Sequence, residues 1–459
     1  MKIHRFLSTP KVARALALTG VIALTGLPYA HASTDIQVWH SLSPHNAEVF
    51  DKLVRQFNSS QSDVKVSVKA FDNNTAVVPA LDEGVRSKQL PNLVQLDDNR
   101  DPEVIAQRRY ILPMYSLLAK YPVKNVKWFI AADAGFMHDD KGRMLALPYM
   151  VEVPVMFYNV SAFKKAGIVP AQPMRSWPGL QGQLVTLANT VTRHCPLVTN
   201  EPVSINLENL AAVNNQFFTT DENGRKVPRA ARVTKTKAKG KSGSASGPAF
   251  VFDLVYVRHL SLMITWVRSE LMLKPEAEGN AVKRFANNEC SVLLSDSSNL
   301  GAFRDNNKLD FGVVGLPYYP EVTSKPGNPF VDGAGLWATS GHSTAEDKAT
   351  AEFIAWLAQT KNAAAWYQNT GYLPLTQQAF NSTDASYYKN LGDWRDLVAV
   401  YEREPASTAR SFRIANYPQI RAMFHQTLDR ALNGQEPAVP ALSSASAQAD
   451  YLMHAGPKK

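Results

Sequence analysis

Apolar and polar positions alternate with period two over Ile36 and Val38, which run into Trp39-His40-Ser41, and again over Val64, Val66 and Val68. Both patterns predict strands. Between them Phe50, Leu53, Val54 and Phe57 share one helical face, with Ser43 as N-cap and Pro44 in the first turn. The run 92–96 predicts a short buried strand ending at Asp97 and Asp98. Strands alternating with helices imply an α/β chain with parallel sheets whose carboxyl ends collect ligands. His40, Asp98 and the helix after Ser43 are expected at that edge, where free backbone N–H groups can meet an anion.

Farther along, Val151, Val153 and Val155 mark one face of a strand, and a short helix runs from Ser161 to a stop at Gly167. Phe353, Ile354 and Leu357 lie on a helix that is expected to open at Thr344, with Asp347 completing a capping box. A second helix should start near Asn362. Gly371 suits the left-handed position past its end, and Pro374 bars any continuation. The chain is forced out there as a braced loop that carries Tyr372, which can either face a ligand or pack.

The amino terminus changes the setting. Lys2, Arg5, Lys11 and Arg14 precede a short apolar run and an Ala30-His31-Ala32 cleavage pattern, so residues 1–32 read as a secretory signal peptide. Its apolar run is too short to span a bilayer, and no other apolar stretch is long enough. No cysteine stands directly after the cleavage pattern, which argues against a lipid anchor. In an exported chain the two cysteines, Cys195 and Cys290, are expected to form one disulfide, the alternative being two separately buried thiols.

The formal charge of +9 is local. Four positive charges belong to residues 1–32 and eight to residues 225–247, which leaves the rest of the chain at −3. The segment 222–248 is rich in Gly, Ser, Ala and Lys with almost no large apolar side chain, and reads as a flexible surface insertion. Without interleaved aromatics it gives no sign of a nucleic-acid partner. The chain has no HExxH, no G-x-S-x-G and no P-loop, so neither an enzyme nor a cofactor is expected.

Seven phrases in order carry a resemblance. They are 146–170, SWPGL at 176–180, NLEN at 206–209, FGVVGLPY at 311–318, DGAGLW at 332–337, TGYLP at 370–374 and YPQIR at 417–421. Together they resemble the periplasmic solute-binding proteins of ABC importers, and among these the group that binds sn-glycerol 3-phosphate. The resemblance implies a two-lobed α/β periplasmic binding fold with a ligand cleft between the lobes and several hinge crossings. It implies lobe 1 from 33–150, lobe 2 from 151–290, a return to lobe 1 over 291–335 and a helical part of lobe 2 over 336–459. It further implies a monomer that delivers a small-molecule solute to inner-membrane ABC permease subunits.

Ligand residues implied by the resemblance are Asn74, Asp98, Glu152, Asp296, Gly333, Tyr372 and Arg421. Gly333 would let backbone approach the ligand, Tyr372 would hydrogen bond, and Arg421 would offer a fork to an anionic or polyol group. Four of these positions depart from the family: Asn74 falls near its first tyrosine, and Asp98 stands where it has a glutamate. Glu152 and Asp296 stand where it has serines, so groups that donate to phosphate become carboxylates that repel it. The tryptophans before the family's LEN motif are also replaced, around Glu201 and Ser204. The implied ligand is sn-glycerol 3-phosphate or a glycerophosphodiester; a sugar or polyol binder and a receptor that feeds a sensor are the alternatives.

Overall fold

The computed structural model describes residues 33–97, 101–131, 135–191, 194–225, 248–275, 279–403 and 406–454. Residues 1–32, Asp98 and most of the basic segment lie outside them.

Two sheets organise these residues. The first contains β1 (Thr34–His40), β2 (Val64–Ala70), β3 (Leu93–Leu96), β4 (Ile111–Leu112), β5 (Leu147–Glu152) and β10 (Asp332–Thr339). Its order is β2-β1-β3-β10-β4, with β5 also paired to β10. β1 runs parallel to β2 and β3, and β10 antiparallel to its neighbours. The second sheet contains β6 (Pro154–Asn159), β7 (Leu197–Thr199), β8 (Val292–Asp296) and β9 (Phe311–Val314) in the order β7-β8-β6-β9.

The early strand–helix–strand unit forms as its periodicity predicts. Helix Pro44–Ser60 buries Phe50, Leu53, Val54 and Phe57 against the first sheet, although the Ser43 side chain makes no capping bond. The alternating valines around Glu152 belong to two strands. β5 ends at Glu152, β6 begins at Pro154, and the chain changes sheets at Val153 between them.

The lobe boundaries need correction over 291–335. β8 and β9 lie in that range, yet both pair with β6, because their apolar residues Val292, Leu293, Leu294, Val313 and Val314 complete the second sheet's core. Only β10 returns to the first. The helices Thr344–Leu357 and Thr360–Thr370 pack on β1 and on helix Pro44–Ser60, so they extend the first lobe. Helices Tyr417–Leu432 and Ala438–His454 pack on helix Leu254–Arg268 of the second.

Local signals near Tyr372 shift by a residue or two. The capping box is Ser343 with Glu346 instead of Thr344 with Asp347. Asn362 donates to the Trp356 carbonyl at the end of the preceding helix and does not cap its own. Gly371 holds the left-handed position with φ of 89°. Cys195 and Cys290 are disulfide-bonded with Cα atoms 4.6 Å apart, just ahead of the neighbouring parallel strands β7 and β8.

Candidate functional site

Strand register gathers the acids. Glu152, the last residue of β5, pairs across the ladder with Asp332, the first of β10. Asp296, the last residue of β8, pairs with Pro154 of β6, immediately beyond the crossing. The crossing is fixed by two hydrogen bonds, from Ser297 N to the Val153 carbonyl at 2.8 Å and from Val153 N to Ser297 Oγ at 3.3 Å. Three carboxylates from two sheets thus meet where the chain changes lobes.

The opposite wall is helical. Glu201 precedes a π-helical turn, Ser204–Glu208, whose last residue is a fully buried carboxylate. Arg421, in the first turns of helix Tyr417–Leu432, donates from Nε to Glu208 Oε1 at 3.1 Å and from Nη2 to Glu201 Oε2 at 3.2 Å. The Tyr417 hydroxyl donates to the same Glu208 oxygen. Burial opposes the charge on Arg421, but Glu208, Glu201 and Asp332 outweigh it and hold the guanidinium protonated.

Among the described residues the remaining carboxylates outnumber that cation. Lost hydration, with Asp332 and Glu201 nearby, pushes Glu152 up to about 8 against a hydrogen bond from Ser298 and the charge of Arg421. Lost hydration likewise raises Glu201 to about 7, although Arg421 pulls the other way. Asp296 is driven well above the usual carboxylate range by lost hydration and by Glu201, Glu152 and Asp332. Like charges this close cannot all ionise cheaply without a further cation.

Tyr372 does not project from its loop. It is buried, and its ring stacks on Trp366 at 5.4 Å, which stacks in turn on Tyr149 at 4.6 Å. Only its hydroxyl end lies near Glu152, Asn46, Asp296 and Ser298, and burial raises its pKa far above that of a free phenol. At Gly333 the strand pairing itself requires the missing side chain. At φ +96° a Cβ there would meet the Met150 carbonyl at 2.2 Å, so the missing side chain admits the β5 backbone.

Asn74 starts helix Asn74–Ser87, accepts a hydrogen bond from Ser41 Oγ at 3.3 Å and reaches Asp97, whose carboxylate has Asp332 and Arg421 in its field. Asp98 falls outside the described residues. His40 is withdrawn from this edge: it is buried edge-on against Phe50, and burial lowers its pKa. The site thus brings together Glu152, Asp296, Arg421 and the Tyr372 hydroxyl, with Asn74 alongside Asp97.

Sequence reasoning passed over Glu208, Asp332 and Tyr417 as functional residues, although each lies inside a quoted phrase: NLEN, DGAGLW and YPQIR. For Asp332, the one charged residue of the otherwise apolar DGAGLW, that placement was the available signal. Among the described residues no cluster suited to a metal ion occurs, and no helix is long and apolar enough to cross a membrane.

Two lobes joined by repeated crossings, with a polar cleft where they meet, define a periplasmic-type binding protein. The solved structure of UgpB from Mycobacterium tuberculosis in complex with glycerophosphocholine has the same fold, with a TM-score of 0.68 at 18% identity over 92% of this chain and 98% of that one. Maltose-bound MalE3 of T. maritima gives 0.69 at 15% identity over 92% and 100%. The chain belongs to the bacterial extracellular solute-binding protein family, whose model matches residues 52–392. The sn-glycerol-3-phosphate-binding periplasmic protein UgpB of Brucella suis is 29% identical over 94% of this chain and 95% of its own length. Its counterpart in Rhizobium meliloti is 28% identical over 94% and 96%.

Proposed function

We propose that this chain is the exported solute receptor of an ABC importer, that it carries a glycerol-phosphate solute to inner-membrane permease subunits, and that a glycerophosphodiester with a cationic head group is preferred over sn-glycerol 3-phosphate itself. The leader-like residues 1–32 and the family support export. The curated relatives named for sn-glycerol 3-phosphate support the solute class.

One observation carries the choice of solute: Arg421 is already engaged by Glu201 and Glu208, while Glu152, Asp296 and Asp332 face the same space. A phosphate monoester dianion entering there would add charge to a cluster whose carboxyls already hold protons to limit their mutual repulsion, and would keep them from ionising. A quaternary ammonium on a diester offsets that repulsion, and the glycerol hydroxyls can donate to the carboxylates. The fork of Arg421 keeps the part of its donor set not used by Glu201 and Glu208 for the single negative charge of a diester.

Isothermal titration of the mature protein with glycerophosphocholine, sn-glycerol 3-phosphate, glycerol and maltose tests this reading. Glycerophosphocholine should bind most tightly. Tightest binding of maltose would make the chain a sugar receptor, and tightest binding of sn-glycerol 3-phosphate would refute the role given to the carboxylates.

A further inference from the structure

The helical wall of the cleft rests on a rare piece of backbone. Single π-helical turns recur at functional sites, where they displace one side chain from the regular helical path. Here Ser204, Asn206, Glu208 and Asn209 are all buried within or beside the turn Ser204–Glu208. Buried amides are costly unless every group is satisfied.

Two asparagines meet that condition in different ways. Asn206 donates from Nδ2 to the Pro202 carbonyl at 2.8 Å, which turns its Oδ1 toward His259 Nε2 at 3.0 Å. His259 Nε2 therefore carries the proton, and Nδ1 accepts from the Tyr319 hydroxyl at 3.0 Å. Burial keeps this ring neutral, with its pKa lowered to about 3. Asn206 thus anchors the turn within its own lobe.

Asn209 reaches instead to the segment that leads back toward the first sheet. Its Nδ2 donates to the Ser204 carbonyl at 3.1 Å and to Ser204 Oγ at 3.0 Å, closing the turn that ends in Glu208. Its Oδ1 accepts from Phe330 N at 2.7 Å. Phe330 lies two residues before Asp332, where the chain re-enters the first sheet as β10. A single side chain therefore bonds to the turn carrying Glu208 and to the segment carrying Asp332.

We propose that Asn209 is a positioning residue for solute recognition: it holds Glu208, and through it Arg421, in register with Asp332, so the two walls of the cleft present one fixed charge pattern. This rests on the reading of the cleft as the solute site. The groups whose balance it sets are Glu152, Glu201, Glu208, Asp296 and Asp332 with Arg421, Tyr417 and the neighbouring Asp97.

Asn214 supplies the control. It is equally buried, donates to the Leu210 carbonyl at 2.8 Å and accepts from Tyr319 N at 2.8 Å, so its bonds go to Leu210 and Tyr319 and not to Phe330. The experiment compares the mature wild type with Asn209→Ala, Asn214→Ala and the milder Ser204→Ala, which removes one of the three Asn209 contacts. For each protein, ligand-free Tm is followed from pH 5.5 to 8.5, and glycerophosphocholine affinity is measured.

Both asparagine variants should lose Tm. Only Asn209→Ala should also weaken glycerophosphocholine about tenfold, the effect of roughly one unsatisfied buried group, and shift the midpoint of the ligand-free pH profile. Ser204→Ala should move both in the same direction by less. Equal loss of affinity in Asn214→Ala, or an unmoved midpoint in both Asn209→Ala and Ser204→Ala, would overturn the proposal. If the wild type binds none of the probes, the solute reading fails, and the ligand-free midpoint still decides the role of Asn209.

Discussion

Glu208 is fully buried, and its Oε1 accepts from Arg421 Nε at 3.1 Å while two-fifths of the arginine side chain stays open to water. This pair fixes Arg421 against the second lobe, so part of its donor set is taken up before any solute arrives. Glu208→Leu should therefore cost about 2–4 kcal/mol, below the full value for breaking a buried pair because Arg421 is partly solvated. Urea unfolding measures it, and a loss under about 1 kcal/mol would mean the pair is not structural.

Stability should depend on pH through the raised carboxyls. The folded protein keeps protons on Glu152 and Glu201 up to about 8 and about 7, whereas the unfolded chain releases them near the ordinary 4.5. Stability is then greatest at acid pH and declines as pH rises through 7 to 8, by at most about 1.4 kcal/mol per pH unit for each group. Tm recorded between pH 5.5 and 8.5 should fall, and Glu152→Gln should flatten the curve. A Tm that rises across this range would contradict the assignment.

The stack of Tyr149, Trp366 and Tyr372 links the first core to the cleft, and Trp366 Nε1 donates to the Tyr149 carbonyl at 2.8 Å. Trp366→Ala should cost about 3–5 kcal/mol and release Tyr372. Trp366→Phe keeps a stacking face and should cost less. Near-equal effects of the two on solute affinity would show that the stack does not position the Tyr372 hydroxyl.

Gly333→Ala should push β10 away from β5, since its Cβ would meet the Met150 carbonyl at 2.2 Å in a backbone with φ +96°. A loss of about 1–3 kcal/mol is expected from overpacking and strain. Wild-type stability in this variant would mean the strands part without cost.

Much of this molecule was legible in its sequence, and the failures have physical causes. Period-two valines and the face of Phe50, Leu53, Val54 and Phe57 reported burial directly, so β1, β2 and their helix were found. Lobe membership of β8 and β9 was not legible, because an apolar strand such as Val292–Asp296 fits either sheet until its partner β6 is known. In the site, Glu152, Asp296 and Arg421 were expected from the resemblance, and the structure brings them near one another. Glu208 and Asp332 were missed because only the β5–β10 register and the π-helical turn bring them to Arg421. Tyr372 was open between facing a ligand and packing; Gly371 and Pro374 do end the helix, and Trp366 holds the ring inside.

Selection of a cationic solute by the carboxylates is tested by the double variant Glu152→Ser with Asp296→Ser. Affinities for glycerophosphocholine and sn-glycerol 3-phosphate are measured by calorimetry in both proteins at pH 8. The wild type should favour glycerophosphocholine, and the double variant should gain sn-glycerol 3-phosphate affinity by tenfold or more while that preference shrinks, a change of about 1.4 kcal/mol. An unchanged ratio of the two affinities would contradict the account.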